Sequence, residues 1–118
     1  MDSLEKLFSV KNKVVIITGG AGMMGMEYAT VLARAGARAV LFDIADEPVL
    51  RAKAAEVRRR TGRRPLALRV DITDERAAKN AVRLVIRRYG RVHALVNNAA
   101  MNPEVEGGSS RAQFSPYE

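Results

Sequence analysis

The 118 residues include 20 lysines and arginines against 13 aspartates and glutamates, a net charge of +7, and 47% of them are hydrophobic. That is the composition of one folded domain with one core, and it excludes a disordered chain. With no cysteine, one histidine (His93) and no apolar run near the roughly 20 residues of a membrane helix, it also excludes a disulfide frame, a thiolate or zinc site and a spanning segment.

The opening "MDSLEKLFSVKNK" lacks the basic start and long apolar stretch of a secretion signal, so a cytoplasmic, metal-free protein is expected. From there, short runs rich in Val, Ile and Leu alternate with longer stretches of helical period. Residues 13–18 predict a first strand. A helix is expected over 23–35, with Gly36 as its stop. Its apolar Met24, Tyr28, Val31, Leu32 and Ala35 recur at spacings of three and four, so they share one face and are the expected core side. Residues 38–43 predict the second strand. A helix then runs from near Asp46 to about Arg60, with Pro48 tolerated in its first turn. Residues 66–70 predict the third strand. "TDE" at 73–75 caps a helix that ends at Tyr89, with Gly90 beyond. Residues 92–97 predict the fourth strand, and the segment after Ala100 reads as loop. The β-α-β-α-β-α-β order with near-continuous apolar strands predicts an α/β fold, a doubly wound parallel sheet covered on both faces.

The densest charge cluster is "VRRRTGRR" at 57–64. It reads as a solvated helix end, because cations complement a helix C-terminus and no base-stacking aromatics are interleaved with them. Neither nucleic acid nor a membrane is expected as a partner.

The chemistry concentrates in "TGGAGMMG" at 18–25, at the carboxyl end of the first strand, where ligands bind in such sheets. Gly20, Gly22 and Gly25 match G-x-G-x-x-G, and Gly19, Gly22 and Gly25 match G-x-x-G-x-x-G. Either register supplies a tight turn, a close backbone approach to a pyrophosphate, and close packing of helix on sheet. A Walker loop would need Lys and Ser or Thr after its last glycine, but Met26 and Glu27 follow Gly25. Asp43 ends the second strand, where a carboxylate can accept both hydroxyls of an adenosine ribose. It would also repel a 2′-phosphate, and no Lys or Arg lies between Thr18 and Gly25 to offset that. The expected cofactor is therefore NAD rather than NADP.

"TGGAGMMG", "VDI" at 70–72 and "LVNNAA" at 95–100 together resemble the short-chain dehydrogenase/reductase family. The resemblance implies a Rossmann-like sheet, here incomplete, in a single dinucleotide-binding unit over 1–118. Residues 101–118 would lead to the rest of the fold. It implies that Gly19, Gly22, Met23, Met24 and Gly25 wrap the pyrophosphate and that Asp43 holds the adenine ribose. Asp71 and Ile72 would flank the adenine, Asn98, Ala99 and Ala100 would line the cofactor, and Asn97 would brace the central strands through backbone hydrogen bonds. Two departures stand out: the commoner family loop has glycine where Met23 lies, and its N-N-A-G is N-N-A-A here, ending in Ala100. The implied activity is reversible oxidation of a secondary alcohol to a ketone on a small molecule, in a homo-oligomeric parent. The family's catalytic Tyr-x-x-x-Lys is not in this sequence. Four residues after Tyr28 is Leu32, four after Tyr89 is His93, and Tyr117 is next to the last residue. The catalytic residues are thus expected in a missing C-terminal half. A non-catalytic, NAD-sensing module and a non-functional truncated product are the alternatives.

Overall fold

The computed structural model describes residues 3–99; the expectations for Ala100 and for a loop over 101–118 lie outside them. After a short α1 (Ser3–Phe8), the elements are β1 (Val14–Thr18), α2 (Met23–Arg34), β2 (Arg38–Asp43), α3 (Glu47–Thr61), β3 (Leu66–Arg69), α4 (Glu75–Tyr89) and β4 (Ala94–Val96). The four strands form one parallel sheet in the order β3-β2-β1-β4. The chain winds outward from β1 through β2 to β3, then crosses back to β4 on the far side of β1. This is the doubly wound arrangement predicted from the sequence. No helix among the described residues is long and apolar enough to cross a membrane.

All five residues of β1 are buried, because helices cover both faces of the sheet. Val15, Ile17 and Leu41 pack under Met26, Ala29 and Ala33 of α2 and Val57 of α3. Val14, Ile16, Val40 and Phe42 pack against Ala81 and Val85 of α4 on the other face. Asp74 caps α4 by accepting from the Ala77 amide at 3.1 Å, Gly90 closes α4 as expected, and Gly62 closes α3.

Two expectations need correction, and one element was not read from the sequence. In α2 the stripe Met24, Tyr28, Val31 and Ala35 is exposed, and Leu32 is only half buried. The buried side is Gly25, Met26, Ala29, Thr30 and Ala33. The reason is the closeness of α2 to the sheet: a methyl at Gly25 would fall on the Gly19 carbonyl oxygen and 2.7 Å from the Gly20 Cα. Gly25, Ala29 and Ala33, at spacings of four, form the line of closest approach where only small residues fit, and the bulkier Met24, Tyr28 and Val31 turn outward. The unread element is α1: its Leu4, Leu7 and Phe8 recur at helical spacing, but all three are exposed and it buries none of its residues. The second correction is β4, which spans three residues rather than 92–97. Beyond Val96 the amide of Asn98 turns back to the Val96 carbonyl at 3.1 Å, which ends the ladder.

The start of β4 carries a pH-sensitive contact. The Val14 amide donates to His93 Nδ1 at 2.9 Å, and the His93 amide donates to the Val14 carbonyl at 2.9 Å. Only neutral imidazole can accept at Nδ1. Partial desolvation, then the charges of Arg91 and Lys13, hold the His93 pKa below its ordinary 6.5. A base with a lowered folded pKa binds fewer protons folded than unfolded, so its contribution is complete above pH 6.5 and is lost as pH falls through the folded value. Thermal melts of the wild type and His93→Phe between pH 7.5 and 5 should therefore converge as pH falls. A constant gap between them would contradict this.

Candidate functional site

The site is built at the carboxyl ends of the strands. Gly19 takes a left-handed backbone, φ +63°, which lets the chain turn sharply off β1. The Gly20 amide donates to the Phe42 carbonyl at 3.1 Å and the Gly22 amide to the Gly19 carbonyl at 3.1 Å, so the loop is tied to β2 and to itself. Gly22 is the N-cap of α2 and has no side chain to cap it, and the first turn holds no acid. The Met26 amide makes the first helical bond, to Gly22, at 2.9 Å. The amides of Met23, Met24 and Gly25 lack intrahelical partners, and the positive end of the helix dipole lies with them. That arrangement suits an anion.

A cleft of about 420 Å³ opens there, walled by Gly19, Gly22, Met23 and Met24 on one side. Asp43, Asp71, Ile72, Asn98 and Ala99 complete it from the ends of β2, β3 and β4. Phe42, Ile44, Val70 and Thr73 also line it, and sequence reading did not single them out. The cleft thus sits where the winding direction reverses, beside β1. Of the residues selected from sequence, Gly25 is not on the wall: it lies behind the loop, where its lack of a side chain lets α2 approach. Ala100 lies outside the described residues.

Asp43 does more than end a strand. Its Oδ2 accepts from the Ala21 amide and its Oδ1 from the Ala45 amide, each at 3.0 Å. Each oxygen keeps a further lone pair for a hydroxyl donor. The carboxylate is therefore oriented by the glycine loop before any ligand arrives. Asp71 accepts from the Thr73 amide at 2.9 Å and the Thr73 hydroxyl at 2.6 Å. Those two bonds pull its pKa below the ordinary carboxylate value and keep it an acceptor. Ile44 and Ile72 offer exposed apolar surface at the cleft.

The fourth wall is held by Thr18, a buried residue whose part sequence reading missed. Its hydroxyl accepts from the amides of Asn98 and Ala99, each at 3.0 Å. It stands 3.4 Å from the Val96 carbonyl and 3.3 Å from Asn97 Oδ1, either of which can take its proton. Asn97 is thus within reach of the Thr18 hydroxyl, and among the described residues no side-chain bond from it to the backbone is seen. Asn98 Nδ2 adds a bond to the Gly19 carbonyl at 3.3 Å, which joins the last turn to the first loop. The available signal for Thr18 was a polar residue at the end of an otherwise apolar strand. Tyr28 and Tyr89 do not line the cleft, so its described part offers binding groups and no tyrosine acid or base.

Comparison with known proteins agrees with this geometry. The family model for short chain dehydrogenases matches residues 13–115. A short chain dehydrogenase/reductase of Aspergillus oryzae is 36% identical over 88% of this chain and 40% of its own length. A cyclopentanol dehydrogenase of a Comamonas species is 41% identical over 78% of this chain and 36% of its own. The crystal structure of an NAD+-bound xylitol dehydrogenase superposes with a TM-score of 0.71 at 32% identity, over 78% of this chain and 35% of that one. The chain thus spans 35–40% of the length of these relatives. On sequence and on fold alike, the chain belongs to the short-chain dehydrogenase family.

Proposed function

We propose that this chain is the dinucleotide-binding part of an NAD-linked oxidoreductase that interconverts a secondary alcohol and a ketone on a small molecule. In this reading α2 presents its free amides to the pyrophosphate, and Asp43 accepts from the adenosine ribose hydroxyls. Asp71 and Ile72 border the adenine, and Asn98, Ala99 and Ala100 border the rest of the cofactor. Bound nicotinamide supplies the hydride chemistry; the residues of this chain hold and orient. Residues 1–118 act as one unit, and 101–118 lead toward the tyrosine and lysine that would move the proton. The parent is proposed to be a homo-oligomer in the cytoplasm.

The observation that carries the choice of NAD is Asp43, oriented at the cleft, with no cation in the loop beside it. A 2′-phosphate about 4 Å from that carboxylate would be repelled by about 4 kcal/mol per unit charge at an effective dielectric near 20. Water and salt reduce this, and about tenfold or more in affinity should survive. Calorimetric titration of the 118-residue chain should show NAD binding at least tenfold tighter than NADP. Asp43→Ala should weaken NAD and close most of that gap. NADP binding as tightly as NAD to the unmutated chain would overturn the assignment.

A further inference from the structure

We propose that the amino-terminal edge of the sheet, opposite the dinucleotide cleft, binds single-stranded nucleic acid. The motif behind this is the arginine cluster at 57–64, which the dinucleotide site does not use.

The topology sorts the charges. Lys13 precedes β1, Arg38 opens β2, Arg63 and Arg64 precede β3, and Arg91 precedes β4, all exposed. In a parallel sheet these positions share one edge. The three long helices run back to the same edge and end in basic turns, at Arg34, at Arg58 to Arg60 and at Arg87 and Arg88. The acids sit mostly at the other edge, with Asp43 at the end of β2, Asp46 and Asp74 at the N-terminal ends of α3 and α4, and Glu47 and Glu75 in their first turns. Helix dipoles explain part of this, but only part. Three helix C-termini carry about −0.5 each. Lys13, Arg34, Arg38, Arg63, Arg64, Arg88 and Arg91 each bring a full charge. None of them has an ion-pair partner among the described residues, whereas Arg59 and Arg60 pair with Glu56. The cations exceed the dipoles severalfold, so the edge is strongly positive.

The edge also has a shaped recess of about 320 Å³. Arg38, Arg63, Arg64 and Tyr89 line it, over Pro65 and three alanines. The Arg63 guanidinium is anchored by donating to the Gly36 carbonyl at 3.1 Å. The guanidinium carbons of Arg38 and Arg88 lie 5.4 and 5.7 Å from the centre of the Tyr89 ring. In sequence, the arginines of 57–64 have no aromatic among them. The fold supplies one from the end of α4. Arginine forks match phosphate oxygens, and the guanidinium planes beside the half-buried Tyr89 ring give a base flat surfaces to stack on. Four strands at about 4.8 Å spacing make a strip roughly 14 Å wide, long enough for a few nucleotides. A lipid surface is less suited, because the recess lining has no exposed aliphatic side chain larger than alanine to insert.

The test is fluorescence anisotropy of a fluorescein-labelled 20-mer of oligouridylate against the 118-residue chain, with circular dichroism of each variant to verify folding. Binding is expected at 50 mM KCl. Four phosphate contacts at a slope of about −0.7 each predict roughly fiftyfold weaker binding at 200 mM. Arg63→Glu with Arg64→Glu, both at exposed positions, should weaken binding at least tenfold. Tyr89→Leu, which keeps apolar bulk, should weaken it about tenfold with the salt slope unchanged. The same charge change on the outer face of α4, Arg76→Glu with Arg83→Glu, should cost less than about threefold. No binding at 50 mM KCl would overturn the proposal. Equal losses in the two double variants would do so too, as would capture by phosphatidylserine vesicles without oligonucleotide binding.

Discussion

Replacing Gly25 with alanine is expected to cost the fold about 2 kcal/mol or more and to abolish the proposed dinucleotide binding. Two effects oppose each other. Alanine is favoured over glycine inside a helix by about 1 kcal/mol. Against that, the added methyl would fall on the Gly19 carbonyl oxygen and lie 2.7 Å from the Gly20 Cα. Both obstacles are backbone, so no rotamer change relieves them. Overpacking of this kind typically costs 1–3 kcal/mol, and it is at its worst where the neighbours cannot yield. The Gly19 carbonyl also accepts from the Gly22 amide at 3.1 Å and from Asn98 Nδ2 at 3.3 Å. Moving it would strain both bonds, and with them two walls of the cleft. Gly22→Ala is the control. A methyl there meets only the Gly19 oxygen at 3.4 Å, an ordinary contact, and φ is −79°. That variant should stay within about 0.5 kcal/mol of the parent, the usual range for exposed sites. Thermal melts should separate the two by several degrees, since a kcal/mol shifts Tm by roughly 4–8 °C in domains near this size. Equal melting temperatures would show that α2 can retreat without loss.

That contrast marks what the sequence discloses and what it hides. Apolar runs bounded by glycines locate β1 and β2 to within a residue, because both strands are buried on two faces and need nothing but hydrophobicity. The glycine loop and Asp43 are legible for the same reason: both follow directly from where a strand ends. The face of α2 is not legible. Periodicity points to Met24, Tyr28 and Val31, but the close approach at Gly25 selects Ala29 and Ala33 instead. Hydrophobic spacing records which residues share a side, not how near the neighbouring backbone comes. The bond from the Ala21 amide to Asp43 crosses 22 positions, and those of Thr18 to the turn after β4 cross about 80. No local pattern carries such pairs. Tyr89 beside Arg38 is a further case of residues joined only by topology.

The Thr18 contacts lead to the second large effect, the loss expected from Thr18→Val. Valine matches threonine in shape and is at home in a buried strand, so the exchange isolates the hydroxyl. Thr18 is 5% exposed, and its oxygen is the acceptor for two backbone amides, those of Asn98 and Ala99. Removing it leaves the Ala99 amide unpaired and the Asn98 amide with only its 3.1 Å bond back to the Val96 carbonyl. A buried donor without a partner costs about 1–3 kcal/mol. Ala99 is only half buried, so the lower part of that range applies to it, and with the weaker hold on the Asn98 amide the exchange should cost about 1–2 kcal/mol. The turn can escape the penalty only by swinging out to water. That would withdraw Asn98 Nδ2 from the Gly19 carbonyl and open the cleft on its fourth side. Hydrogen exchange should therefore accelerate, most at the Ala99 amide, and affinity for NAD should fall at least tenfold. Thr18→Ser keeps the hydroxyl and loses only a methyl, worth about 0.8 kcal/mol, so it should retain the slow exchange and most of the affinity. If the hydroxyl is the joint between loop and turn, Asn98→Ala should cost less in the Thr18→Val background than in the parent, because residues in one network do not add independently. Additive losses, with unchanged exchange at Ala99, would mean that the turn is held by something other than Thr18.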